Sequence, residues 1–193
     1  RYDTRGHGAS SVSGGPYTID QLGADLIALM GGLDISIAHF CGLSMGGVIG
    51  QWMGIHAPER LGKLILSNTA ASIGTADRWN DRIQQVQTGG LESVRAAVLD
   101  IWFTDSFQRT FPDTVQSFAD MFLSTPPEGY NACCAAVRDF DFRKQVPQIK
   151  LPTLVITGTE DIATTVADGR FLTERIDSAQ LVELQAAHLS NVE

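Results

Sequence analysis

The chain has 193 residues, 44% of them hydrophobic and 19% charged, which is ordinary for a globular protein with a substantial buried core. Its net charge of −8 argues against nucleic acid or an anionic membrane as the main partner, and no apolar run approaches the ~18 residues of a membrane span. The three cysteines lack zinc-ligand spacing and indicate reduced thiols, as in a cytoplasmic protein.

The first 70 residues alternate between helical and strand patterns. Apolar residues recur at helical spacing from Ile19 to Leu33, and Gly31-Gly32 are expected to end this helix. The apolar run 36–43 is typical of a buried parallel strand. The next predicted elements are a helix over 45–56, which ends before Pro58, and a short strand over 61–69.

A block without strand signals follows, from about Ala71 to Gln148. Gly89-Gly90, Pro112 and Pro126-Pro127 divide it into helical stretches over 79–87, 91–102, 114–123 and 130–139. Strand patterns return afterwards at 151–158 and 180–185, with a helix predicted between them near 166–176.

This order predicts an α/β fold in which a helical cap is inserted into a mostly parallel sheet. The predicted parts are a core of residues 1–70 and 151–193 and a cap of residues 71–150. Two separate domains are the weaker interpretation, because the segment 151–185 is too short to form a core of its own.

A glycine cluster surrounds one serine between the predicted strand 36–43 and the helix 45–56. Gly42-Leu43-Ser44-Met45-Gly46 fits the G-x-S-x-G nucleophile elbow in the context that this motif requires. Side chains two residues before and two after Ser44 are expected to collide, which explains both motif glycines. Gly46, Gly50 and Gly54 recur every fourth residue and are expected to allow close packing of the helix on the sheet.

A nucleophilic serine needs a base and an orienting carboxylate, and in this fold the chain order is serine, acid, histidine. Only His188 follows the last predicted strand, whereas His7, His39 and His56 precede the acid candidates or lie too near the serine. Asp161, just after the strand 151–158, is the expected acid. Glu160 and Asp168 are the alternatives, and the predicted triad is Ser44, Asp161 and His188.

These features resemble the α/β-hydrolase superfamily and, more narrowly, the 3-oxoadipate enol-lactonases. The segments that carry the resemblance run nearly end to end and include the cap: YDTRGHGAS, GLSMGGVIGQWMGIHAPERL, LSNTAA, WFT, CCAAVRDFD and AAHLSNVE. Such breadth is more specific than the elbow, which many unrelated hydrolases share.

The resemblance implies that Ser44 attacks the carbonyl of an enol lactone while His188 takes its proton and Asp161 stabilises the imidazolium. The backbone N–H of Met45 and a second N–H from an earlier loop would bind the oxyanion. No metal or organic cofactor is needed. The product would be 3-oxoadipate, and the partner a small anionic lactone.

An anionic substrate predicts a cation in its pocket. Arg138, on the last cap helix, is the expected cation, and Trp102 is expected to wall the lactone ring. Each has a simpler interpretation, since Arg138 can pair with Asp139 and Trp102 can belong to the cap core.

Two other functions fit the same motifs. A general carboxylesterase or another lactonase would use the same triad on other esters, and a ligand-binding homologue would keep the fold without useful turnover. The chain also opens without a methionine, and the resemblance implies further strands before Arg1 and a closing helix after Glu193. We therefore expect the chain to be an internal part of a longer lactonase, and to be unstable or inactive alone.

Overall fold

The computed structural model describes all residues, 1–193, and contains one parallel four-stranded sheet. Its strands lie in the order β1-β2-β3-β4, each hydrogen-bonded to the next, with Leu66 pairing Gly42 on one side and Val155 on the other. The strands are β1 (Ala38–Leu43), β2 (Leu61–Ser67), β3 (Thr153–Gly158) and β4 (Ala179–Leu184). Because all four are parallel, their carboxyl ends lie along one edge of the sheet.

Eight α-helices accompany the sheet. They are α1 (Ile19–Gly32), α2 (Met45–His56), α3 (Ala76–Gly89), α4 (Arg95–Trp102), α5 (Asp105–Thr110), α6 (Pro112–Leu123), α7 (Pro127–Asp139) and α8 (Val166–Arg175). Short 3₁₀ turns cover Pro58–Arg60, Leu91–Val94 and Val146–Gln148. No helix combines the length and apolar character that a bilayer span requires.

The predicted α/β fold class is confirmed, and the predicted strands and helices are present with shifts of a few residues. Pro112 and Pro127 open α6 and α7 as first-turn residues, where a missing N–H costs nothing, rather than standing between helices. The short helix α5 was not predicted. Strand β1, which was predicted to be buried, is only partly buried.

The chain divides into two compact units. The sheet unit comprises Ile19–Ile73 and Asp141–Glu193, and the helical unit comprises Arg1–Thr18 and Gly74–Phe140. The first 18 residues, predicted as part of the core, group here with the helices, and residues 71–73 and 141–150, predicted as part of the cap, group with the sheet. The Tyr17 N–H donates to the Ala132 carbonyl at 3.2 Å, and a Cβ on Gly6 would lie 2.8 Å from the Gly129 Cα, so this segment packs tightly on α7.

The core of the sheet unit consists of strand residues packed against α2 and α8. Leu64 and Leu66 of β2 and Val155 of β3 are at most 1% exposed. In α1, Ile19, Leu22, Leu26 and Met30 are buried, whereas Leu29 and Leu33, which follows the helix, are exposed.

The helical unit has its own apolar cluster. It is formed by Val86, Leu91, Val94, Val98 and Phe122, with Trp102, Leu123 and Tyr130 packed against it.

Candidate active site

Ser44 stands at the turn between β1 and α2, in a backbone conformation that side-chain-bearing residues rarely adopt. Its φ is 55° and its ψ is −119°. The Ser44 N–H donates to the Ser67 carbonyl at 3.0 Å, and the Thr69 hydroxyl donates to the Ser44 carbonyl at 2.8 Å. The first contact comes from the last residue of β2 and the second from the segment that follows it, so the strained turn is held by the neighbouring strand.

The two motif glycines have different roles. A Cβ added to Gly42 would lie 2.1 Å from the Gly46 carbonyl oxygen, so this position accepts only glycine. A Cβ added to Gly46 would meet nothing within 4 Å. The prediction that crowding explains both glycines is therefore right for Gly42 and wrong for Gly46, because the backbone of Gly46 is itself the obstacle.

The close packing predicted for α2 is present at Gly50 and Gly54. A Cβ on Gly50 would lie 3.0 Å from Leu64, and one on Gly54 would lie 3.2 Å from Ile149. Gly47, which the pattern did not include, is tighter, with 2.6 Å to the Thr69 side chain.

Met45 is the first residue of α2, so its N–H has no acceptor within the helix. The N-terminus of this helix also presents the positive end of its dipole beside Ser44. This N–H is thus available to a developing oxyanion.

Asp161 and His188 form a buried pair at the carboxyl end of the sheet. Asp161 follows β3 and His188 follows β4, and the Asp161 Oδ2 lies 2.8 Å from the His188 Nδ1. Asp161 is 4% exposed and His188 5%. With Nδ1 engaged by the carboxylate, Nε2 is the ring nitrogen left for proton transfer.

The carboxylate of Asp161 accepts hydrogen bonds from several donors. The Ala163 and Thr164 N–H groups donate to Oδ1 at 2.8 and 3.0 Å, while the Thr164 hydroxyl and the Asn68 amide donate to Oδ2 at 2.7 and 3.0 Å. Burial raises the pKa of Asp161, but the interactions with His188, Asn68 and Thr164 outweigh it and hold that pKa at about 2. Asp161 is therefore an anion at neutral pH.

Of the two alternative acids, one is exposed and the other is engaged in capping a helix. Glu160 is exposed, and Asp168 caps α8 by accepting from the Thr165 N–H at 2.7 Å. Among the other histidines, His39 and His56 are exposed, and the His7 ring lies in the helical unit, 3.8 Å from the Cys133 sulfur.

No hydrogen bond joins the Ser44 hydroxyl to the His188 ring in this structure. The contact between nucleophile and base stays a prediction.

Sequence reasoning missed Asn68, the residue that follows β2. It is fully buried, and its amide contacts both Asp161 and the segment that carries His188. The only sequence feature that could have indicated Asn68 is its position as a polar residue directly after a predicted buried strand. No motif includes it.

The predicted substrate residues both lie in the helical unit. Arg138 donates from Nε and Nη2 to the two Asp139 oxygens at 2.7 Å, and from Nη1 to Asn80 at 2.8 Å. It also lines a cavity of about 550 Å³ together with Asn131 of the same helix. Trp102 packs edge-on against Phe122, with ring centroids 5.6 Å apart, as a member of the apolar cluster would.

Comparisons with known proteins identify the family of the chain. The family described as alpha/beta hydrolase fold matches residues 1–193. The chain is 49% identical over 192 residues to 3-oxoadipate enol-lactonase 2 of Acinetobacter baylyi, covering 100% of this chain and 72% of that protein. It is 38% identical to 3-oxoadipate enol-lactonase 1 of the same organism, again over 192 residues, with the same coverage of both chains.

A solved structure gives the same result. The crystal structure of the enol-lactonase from Burkholderia xenovorans LB400 superposes with a TM-score of 0.98 at 44% identity, over 100% of this chain and 74% of that one. The chain belongs to the α/β-hydrolase family and, within it, to the 3-oxoadipate enol-lactonases.

Proposed function

We propose that this chain opens the ring of 3-oxoadipate enol-lactone to give 3-oxoadipate, acting as a serine hydrolase of aromatic catabolism. The observation that carries the serine mechanism is the buried Asp161–His188 pair, which lies along the same edge of the sheet as the strained turn of Ser44. The lactone as substrate rests on the 49% identity to a lactonase.

In the proposed first step, His188 Nε2 takes the proton of the Ser44 hydroxyl as the oxygen attacks the lactone carbonyl. Asp161 stabilises the imidazolium, and the Met45 N–H stabilises the negative charge on the former carbonyl oxygen. The ring opens when His188 passes this proton to the enol oxygen as the ester C–O bond breaks, which leaves the imidazole neutral for the second step. The enol oxygen that leaves becomes part of a ketone, which makes this step strongly downhill.

In the second step, His188 takes a proton from water, and the resulting hydroxide attacks the acyl group on Ser44. Collapse of the second tetrahedral intermediate releases the carboxylate and returns the proton to Ser44. The elbow supports both steps because its turn places Ser44 beside the N-terminus of α2.

We also propose that Arg138 binds the carboxylate of the lactone and that Trp102 contacts the ring. The position of Arg138 at the 550 Å³ cavity supports its role. A substrate carboxylate would compete with Asp139 for the guanidinium, since Asp139 already accepts from two of its nitrogens. A cytoplasmic location remains a prediction from the free thiols.

A second candidate function is the hydrolysis of uncharged esters by the same triad. The observation that favours it is the pairing of Arg138 with Asp139, which leaves this cation partly neutralised.

The test is the loss of the enol-lactone ultraviolet absorbance, measured with the protein made from its complete reading frame. We expect rapid loss with the parent and with Ser117→Ala, which alters an exposed serine of α6, and none with Ser44→Ala. Turnover of aryl esters without turnover of the lactone would support the triad and refute the lactone as the substrate. Full activity of Ser44→Ala would refute the serine mechanism.

A further inference from the structure

Asn68 lies between the two strands that carry the nucleophile and the acid. Ser44 follows β1 and Asp161 follows β3, and β2 separates these strands in the sheet. Asn68 is the first residue after β2, with a φ of 44° and its N–H donating to the Ile156 carbonyl of β3 at 2.8 Å. Asparagine tolerates this left-handed conformation better than most residues.

The side-chain amide of Asn68 uses all four of its hydrogen-bonding positions. Nδ2 donates to Asp161 Oδ2 at 3.0 Å and to the Ala187 carbonyl at 3.1 Å. Oδ1 accepts from the Ser67 hydroxyl at 3.0 Å and from the Ser190 hydroxyl at 2.5 Å. Only an amide offers two donors and two acceptor sites in this arrangement, so neither aspartate nor leucine can replace it.

These contacts connect Asn68 both to Asp161 and to the loop that carries His188. Asp161 Oδ2, which accepts from Asn68, is the same oxygen that faces His188 Nδ1. Ala187 and Ser190 lie just before and just after His188 in the chain. The amide therefore connects the carboxylate directly to the loop that carries the histidine.

We propose that Asn68 is a positioning residue of the reaction, whose amide holds the Asp161 carboxylate and the His188 loop in one relative geometry. This inference rests on the proposed serine-hydrolase function. Asn68 acts through Asp161 and His188 and needs no contact with the substrate.

An aspartate in place of Asn68 gives a specific electrostatic signature. It puts a second carboxylate within hydrogen-bond distance of Asp161 and thereby favours the protonated form of His188, which cannot act as a base. The other charged groups around this pair are Glu160, next to Asp161, and Glu193, whose Oε2 accepts from the Ala187 N–H at 2.9 Å. The acid limb of the pH profile should therefore move to higher pH.

The experiment compares kcat/KM across pH for the parent, Asn68→Asp and the matched control Asn191→Asp, all from the complete reading frame. Asn191 lies in the same loop but is exposed, so its new charge is screened by water. We expect the midpoint of the acid limb to rise by about one pH unit in Asn68→Asp and to stay unchanged in Asn191→Asp. Folded Asn68→Asp protein with the parent's pH profile overturns the proposal.

Two further measurements keep the test decisive. If Asn68→Asp does not fold, Asn68→Ser removes the donation to Asp161 without adding charge, and we expect kcat to fall about 100-fold with KM unchanged. A loss of stability with unchanged kcat in Asn68→Ser would mean a purely structural role.

The far-downfield proton resonance of His188 Nδ1–H should shift in either variant, and this signal needs no turnover. An inert parent would therefore refute the proposed function, whereas an unshifted resonance would refute the role of Asn68.

Discussion

The unequal roles of the elbow glycines give the sharpest prediction. Replacing Gly42 with alanine places a methyl group 2.1 Å from the Gly46 carbonyl oxygen, 2.3 Å from the Gly46 carbonyl carbon and 2.6 Å from the Gly47 nitrogen. All three atoms belong to the backbone of the first turn of α2. No side chain can rotate to relieve the clash, so the start of the helix must move.

The cost follows from these distances. Overpacking a rigid site costs about 1–3 kcal/mol, and the upper end applies here because the obstacle is backbone. The lower chain entropy of alanine returns about 0.5–1 kcal/mol, so we expect the free energy of unfolding to fall by about 2 kcal/mol. A displacement of Ser44 by about 1 Å should lower kcat about 100-fold.

Gly46→Ala is the matched control. Its Cβ meets nothing within 4 Å, its φ lies outside the left-handed region, and alanine favours the helix by about 1 kcal/mol. Urea unfolding and lactone turnover of both variants, made from the complete reading frame, test the comparison. Equal stability of the two variants, or a larger loss of turnover in Gly46→Ala, would refute the reasoning.

Three more predictions concern titration, thiols and the substrate anion. Because the pKa of Asp161 is lower in the folded protein than in the unfolded chain, its ionised form stabilises the fold. The free energy of unfolding, measured with urea, should therefore fall by about 2 kcal/mol as the pH falls from about 4 to about 2. Asp161→Asn should lack this decrease. Burial raises the pKa of Cys133 and of Cys134 to about 12, so neither should be alkylated by iodoacetamide at pH 8 until the protein unfolds, as intact mass will report. Arg138→Gln should raise KM for the anionic lactone about tenfold and leave that for a neutral ester unchanged, whereas Arg143→Gln, which breaks a comparable pair with Asp141, should change neither.

The sequence predicted the parts of the fold that depend on local patterns. Ser44 was identifiable because the turn between a buried strand and a helix imposes glycine at position 42, and a spacing rule captures that constraint. Asp161 and His188 were predicted from the chain order serine, acid, histidine and from their places just after two predicted strands, each of which is a local pattern. In both cases a short stretch of chain carries the information.

The features that sequence reasoning missed depend on contacts between distant segments. The first 18 residues pack on α7 through Tyr17 and Gly6, partners more than 100 residues away that no local pattern reveals. Gly46 fits the same motif as Gly42, yet only the three-dimensional turn shows that its backbone, not a side chain, is the obstacle. The pair of Arg138 with Asp139 was an alternative from the sequence, but its second partner, Asn80, lies on α3 and no local pattern indicates it.

Asn68 shows why the strand order matters to the site as well as to the fold. In a sheet ordered β1-β2-β3-β4, the serine strand and the acid strand are never neighbours, so the strand between them must transmit their relative position. Ser67 binds the serine backbone, and Asn68, the next residue, binds the acid and the histidine loop. A one-residue shift of β2 would put a different residue at each of these two positions and break both connections. The register of β2 is therefore a condition for the proposed chemistry, although β2 contributes no group that reacts.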